Sequence, residues 1–375
     1  MRWIAPAFAV TLTALALPLS ASAQEGEGQA MPPPDPETFR PVVAAIVDGV
    51  ILPDHAGFAK AAAGFARAMP AFCENPSPDD LSITKGEFAR LVMAWSRVEI
   101  WRMGPALSDN RHDRLYYWPD RGGRGLRQVE ALLQSDDDKA SDPDALYAGS
   151  VALQGIPALD YLLSGDGAEG LTEQDGIRRC HFASAIAQVV ARNAAALQAD
   201  WQGPKGYGAL MRDSGPGNAL YRNPGEAMRE ILTRAAEAVQ VVRERKLIPA
   251  LGEGPDGSKP KLAPLWRSDL VIPAVLSELE AVASLLEAGR LPELPAMGSM
   301  QAWVSGTRFD LRQAIQAITR ATDGAPSWER ELADPARHKL LSYAVIPLSS
   351  AEKRLGLELP SMLGMVAGFN ALDGD

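Results

Sequence analysis

The sequence predicts an all-α protein whose two helical-bundle halves pack side by side. Three observations predict it. Apolar residues recur at spacings of three and four through the long segments, which is the helical period. No stretch alternates apolar and polar residues long enough to make a convincing strand. A stretch rich in glycine and turn formers, "QGPKGYGALMRDSGPGNALYRN" (202–223), separates two sets of long helices joined by short or irregular links. The expected halves are residues 38–205 and 206–375.

Composition supports a packed core. The chain has 375 residues, 46% apolar and 22% charged. The first 23 residues read differently. Arg2 is their only charge, "IAPAFAVTLTALALPL" is apolar, and "ASA" (21–23) precedes Gln24, the layout of a secretory signal peptide. No later segment has about 18 uninterrupted apolar residues, so no membrane-spanning helix is expected in the mature chain. Loss of Arg2 takes the formal charge from −10 to −11. An acidic exported protein is a poor match for nucleic acid. It is compatible with cations, although acidity also serves solubility. Two cysteines, Cys73 and Cys180, lie 107 positions apart. In an oxidising compartment such a pair predicts a disulfide, worth roughly 4–5 kcal/mol in the chain-entropy model.

The elements follow in order. Residues 24–37, "QEGEGQAMPPPDPE", are polar and Pro-rich and predict a disordered leader. Helical periodicity then runs from Phe39 to Glu74, with Pro53 as an expected kink. After "NPSPDD" a helix carries Leu91, Trp95 and Val98 on one face and stops at Gly104 and Pro105. The loop "ALSDNRHDRLYYWPDRGGRG" is long, aromatic and basic. The helix "LRQVEALLQ", the acidic turn "SDDDKASDPD" and the segment "ALYAGSVALQGIPALDYLLSG" follow. A long amphipathic helix begins near Thr172 and carries Cys180. Four further helical segments fill the second half.

Several of these stretches, taken in order, resemble the imelysin-like family, which is grouped with a peptidase class. They are "AWSRVEIWRMGP" (94–105), "YWPDRGGRGLRQVE" (117–130), "LQGIPALDYLL" (153–163), the Cys180 helix, "LWRSDL" (265–270) and "GFNALDGD" (368–375). The resemblance covers residues 38–375. It implies an all-helical fold and an association with periplasmic or surface iron uptake. Iron, or another divalent or trivalent cation, is the cofactor class it implies, and components of an iron-uptake system are the implied partners.

The family signature, Gly-x-His-x-x-Glu, falls on Gly155 to Asp160. Gly155 matches, but Pro157 stands at the histidine position and Asp160 at the glutamate position. A His and a Glu three apart on a helix share a face and can share one metal. Proline has no lone pair to give. This puts metal-activated peptidase chemistry in doubt. The Gly-x-Pro spacing suits a helix break, with Pro157 in the first turn of a new short helix.

Other candidates surround this motif. Glu99 sits among Trp95, Trp101 and Met103, with Arg102 as its nearest local partner. Asp160 and Glu99 together are the weak candidate pair for a cation. Trp118, Arg121 and Arg124 are candidates for a wall that stacks on a planar ligand or grips a carboxylate. Arg267 and Ser268 are expected to face it across a groove. The histidines (His55, His112, His181 and His338) form no ligand pair by spacing. No nucleophile elbow, phosphate loop, dinucleotide fingerprint or CxxC is present. The reading is an exported, non-catalytic binding or accessory protein for iron or a haem-like ligand. The alternatives are a metallopeptidase with an altered site and a purely structural partner of an uptake system.

Overall fold

Five dipeptides that pair a capping residue with proline open helical elements: Asp35-Pro36, Ser77-Pro78, Asp142-Pro143, Asn223-Pro224 and Asp334-Pro335. In each, the side chain of the first residue accepts a hydrogen bond from an amide of the first turn. Proline then fills a position whose own N–H would have had no partner. A computed structural model describes residues 34–288, 290–294, 299–324 and 327–365. The signal peptide expected over 1–23, residues 24–33 of the leader and the terminal "GFNALDGD" lie outside them. Residues Pro36–Phe39, at the end of the expected leader, form a 3-10 turn.

The first helices are α1 (Arg40–Ile46), α2 (Leu52–Glu74), α3 (Pro78–Glu99), α4 (Arg111–Leu115), α5 (Arg124–Gln134), α6 (Pro143–Ala148), α7 (Ile156–Ser164) and α8 (Ile177–Trp201). After them come α9 (Tyr207–Arg212), α10 (Pro224–Gln240), α11 (Ile248–Leu251), α12 (Val271–Ala288), α13 (Met300–Thr322), α14 (Trp328–Ala333), α15 (Pro335–Lys353) and α16 (Leu359–Met362). Among the described residues there is no strand, and the fold is all-α. The helix expected from Thr172 begins instead at Ile177, because the preceding residues make two 3-10 turns, Ala168–Thr172 and Gln174–Gly176.

Three π-helical segments, Val47–Ile51, Val241–Leu247 and Arg354–Glu358, share one cause. Each is followed by an aliphatic residue and then a proline: Leu52-Pro53, Ile248-Pro249 and Leu359-Pro360. Proline cannot donate to the carbonyl four residues back, and its ring crowds that carbonyl. Widening the preceding turn relieves the clash without ending the helical run. The kink expected at Pro53 is therefore a π turn.

α2 packs against both α3 and α8, while α13 packs on α15 and α15 on α10. α12 touches both groups, through α3 on one side and α13 on the other. The Cys73–Cys180 disulfide is formed, with a Cα–Cα separation of 5.7 Å. It ties the end of α2 to the start of α8, and His55 meets Trp201 at the opposite ends of the same helices, ring centroids 4.9 Å apart. The two helices are therefore antiparallel. Among the described residues one helical run, Pro36–Glu74, is long and apolar enough by composition to cross a membrane. Half of its apolar window is buried in the fold, with Val43, Phe58, Phe65 and Met69 in the core.

Candidate ligand site

The break between residues 153 and 157 has a specific cause. Gly155 adopts φ +84°, and a Cβ there would lie 2.4 Å from the carbonyl oxygen of Leu115. Only glycine fits so close to the α4 backbone in this conformation. Pro157 then sits in the first turn of α7, where its missing N–H costs nothing. Gln154, fully buried, holds the turn by donating to the Leu146 carbonyl at 2.7 Å. The result is a short helix that starts inside the protein and presents Asp160 one turn later.

Asp160 is 3% exposed. Its Oδ1 accepts two hydrogen bonds from Ser268, one from the amide at 3.2 Å and one from the hydroxyl. Burial raises its pKa to about 6, against the pull of the Ser268 hydroxyl and the nearby Arg267 guanidinium. The loop that carries Ser268 is anchored at its far side too. Asp269 accepts the Trp328 amide at 3.0 Å, and the Trp328 indole donates to the Pro260 carbonyl at 3.0 Å.

Asp160 and Pro157 line the floor of a cavity of about 500 Å³. One wall is the loop after α4, with Tyr117, Trp118 and Arg121. This loop is fastened by Asp120, whose two carboxylate oxygens accept the amides of Gly125 and Leu126 at 3.0 and 2.9 Å. The facing wall is the loop before α12, with Lys261, Trp266 and Arg267. The Arg267 guanidinium carbon lies 4.5 Å from the centre of the Trp266 ring and 5.5 Å from that of Tyr161. Lys261 approaches Trp266 at 4.9 Å. Aromatic faces and cations thus alternate around a buried carboxylate.

The structure brings Pro157, Asp160, Trp118, Arg121 and Arg267 to this one cavity. Arg124 is not among its lining residues. It is exposed on the first turn of α5, and the flanking Gly123 and Gly125 face the cavity instead. Glu99 and Arg102 lie at a second cavity, of about 440 Å³, which shares Trp118, Pro119 and Arg121 with the first. Arg102 approaches Asp113 at 4.0 Å, and the ion-pair partner of Glu99 is Lys246, at 3.0 Å. Lys246 also meets Glu278 at 2.7 Å and is 1% exposed. Burial works against the ammonium, but Glu278 and Glu99 outweigh it and hold its pKa above the ordinary lysine value. The same burial pushes Glu278 up, and the Lys246 ammonium pulls it back toward the charged form. Sequence reasoning missed Lys246 and Glu278. "RERKLIP" (243–249) holds four charges in a row, and nothing local marks its one lysine as buried.

The donor set does not fit a metal. Pro157 offers no lone pair, one oxygen of Asp160 is taken up by Ser268, and Arg267 places a positive charge beside it. Glu99 is neutralised by Lys246. Among the described residues no group of three or more His, Cys, Asp and Glu side chains is placed to hold an ion. The Nδ1 of His55 donates to the Ile51 carbonyl at 2.7 Å, and His338 bonds the Leu251 carbonyl at 3.0 Å. His112 lines the second cavity, packed on Trp95, while His181 is exposed.

The family model for imelysin (peptidase M75) matches residues 51–355. The chain belongs to the imelysin family. A comparison with curated proteins finds no match. The fold of this imelysin-family chain is that of two solved structures. An imelysin-like protein from Psychrobacter arcticus 273-4 superposes with a TM-score of 0.73 at 16% identity, covering 90% of this chain and 98% of the other. A candidate iron-regulated protein A precursor from Parabacteroides distasonis ATCC 8503 gives 0.70 at 16% identity, covering 87% and 96%. Within the imelysin family, then, this chain has the fold of both solved structures, and Gly155, Pro157 and Asp160, the residues expected at the family motif, stand together at the start of α7.

Proposed function

We propose that the protein is an exported, non-catalytic binding protein whose first cavity takes a planar ligand bearing carboxylates, haem or a haem-like molecule in an iron-uptake setting. The observation that carries this reading is the pairing of Trp118 and Arg121 on one wall with Trp266 and Arg267 on the other. Aromatic faces stack on a planar ring, and guanidinium groups grip carboxylates in a way that a bare cation would not reward. Asp160, buried beneath, orients the Arg267 loop through Ser268 and offers an acceptor to a ligand N–H or O–H. The iron-regulated name of one structural neighbour supports the setting. The apolar N-terminus and the disulfide support export to an oxidising compartment, the periplasm.

Peptidase chemistry has no support at the motif, because the residue in the histidine position cannot ligate. Absorption titration with ferric haem tests the binding reading. The native chain should bind one haem with a shifted Soret band, and Arg267→Gln should weaken binding about tenfold. No spectral change with the native chain would remove the reading. Chelator-sensitive cleavage of unfolded protein substrates by the purified chain would restore the metallopeptidase alternative.

A further inference from the structure

We propose that α14 is a latch on the first cavity, holding the wall loop in place through Trp328 and loosening that hold when Glu331 carries its charge beside Asp269. Trp328 grips both ends of the loop. Its indole N–H donates to the Pro260 carbonyl and its amide to the Asp269 carboxylate, each at 3.0 Å. Between those two points lie Lys261, Trp266 and Arg267, which face the cavity. Trp328 itself is buried and does not line the cavity. It is a positioning residue, acting on the ligand site through the loop. Leu265 and Asp269 bracket Trp266, Arg267 and Ser268, and both are left-handed, with φ +60° and +58°. Such a backbone is costly for a bulky residue like Leu265 and persists only where its surroundings enforce it. Ser268 holds the inner side of the loop through Asp160, and Trp328 holds the outer side.

Glu331 lies one turn beyond Trp328 on α14. It is 7% exposed, and its Oε2 is buried without a hydrogen-bond partner. α15 and the 3-10 turns Pro255–Gly257 and Pro260–Leu262 pack against α14. They bring Arg337, His338 and Lys339 from α15, and Asp256 and Lys261 from the turns. His338 is engaged with the Leu251 carbonyl. Of these groups and those of the loop, Arg337 and Asp269 act on Glu331. Burial raises its pKa to about 7, the Arg337 guanidinium pulls it down, and the Asp269 carboxylate pushes it up. A proton on Glu331 removes the repulsion toward Asp269 and leaves the Trp328 contact intact. The held state favours that proton, so the hold weakens as pH rises through about 7.

The latch goes beyond the haem-like reading and is read without a ligand, so the two stand or fall separately. The test is hydrogen–deuterium exchange of the full mature chain at pH 6.5 and pH 8. The readout is the protection of the amides of residues 265–270, corrected for intrinsic exchange rates. In the native chain protection should fall about tenfold from the lower pH to the higher. It should stay high at both in Glu331→Gln and be lowered at both in Trp328→Phe, which loses the indole donor. The exposed control Glu329→Gln should follow the native chain. If Glu331→Gln does not fold, Asp269→Asn, which keeps the acceptor and removes the other charge, carries the same prediction. Equal protection of the native loop at the two pH values would overturn the proposal. So would a pH response that survives in Glu331→Gln, or undiminished protection in Trp328→Phe.

Discussion

Ser268 donates both its amide and its hydroxyl to a single oxygen, Oδ1, of Asp160. The two residues are 108 positions apart. This contact couples the α7 helix break to the loop that carries Trp266 and Arg267, and so sets the distance between floor and wall of the cavity. A buried carboxylate is a costly way to make such a link. The cost indicates that its charge or its acceptor has a use.

That cost has a pH signature. The folded pKa of Asp160, about 6, lies above the ordinary 3.8. The folded state therefore holds the proton more tightly, and stability is lost as pH rises from about 4 to about 6. At neutral pH the penalty is present in full, roughly 2–3 kcal/mol. Asp160→Asn keeps an acceptor for both Ser268 donors without the charge. It should raise stability at pH 7 and flatten the profile between pH 4 and 6. Glu331, Glu278 and Asp54 are raised as well, whereas His55, lowered to about 4 chiefly by burial, contributes with the opposite sign. Only the difference between native and variant denaturation curves isolates Asp160. A pH-independent difference would contradict the assignment.

Gly155→Ala should be among the most damaging small changes in the chain. The new methyl would meet the Leu115 and Arg114 carbonyl oxygens at 2.4 and 2.5 Å, in a φ region that disfavours alanine. A loss of about 2–4 kcal/mol is expected by urea denaturation. An unchanged midpoint would show that α4 can move away at little cost.

Lys246→Met would leave Glu278 and Glu99 buried without their counter-ion. The expected loss is about 3–5 kcal/mol, recovered in large part by the double variant Lys246→Met, Glu278→Leu. A thermal melt of the three proteins checks this. A single variant as stable as the native chain would mean that the carboxylates take up protons at no cost.

The disulfide closes a long loop between α2 and α8. Denatured, unreduced protein should show no free thiol. Reduction should lower stability by about 4 kcal/mol in the chain-entropy model. Two reactive thiols, or an unchanged midpoint on reduction, would contradict the pairing.

How far the sequence was legible depends on whether a signal is local. The capping residue-proline pairs and the Gly155–Pro157 break act through their own neighbourhood and can be read directly, while the cysteine pair, 107 positions apart, is legible because two cysteines allow one pairing. Glu99 and Arg102 show where such rules stop. A spacing of three predicts a contact only within a helix, and α3 ends at Glu99. Arg102 therefore lies beyond the helix, and the partner of Glu99 comes from a residue 147 positions away. Arg121 and Arg124 separate for a related reason, since one precedes the first turn of α5 and the other lies on it. Lys246 was hidden because its burial depends on the π turn and on α12, neither of which leaves a mark within "RERKLIP".

The central claim is that the motif position supports an organic ligand rather than a bare cation. Binding of metal-free protoporphyrin IX, measured by tryptophan fluorescence in the presence of excess chelator, tests it most directly. The account predicts binding of one protoporphyrin per chain, within about tenfold of ferric haem, quenching emission and weakened by Trp118→Ala. Binding that appears only with ferric iron and disappears with chelator would contradict it.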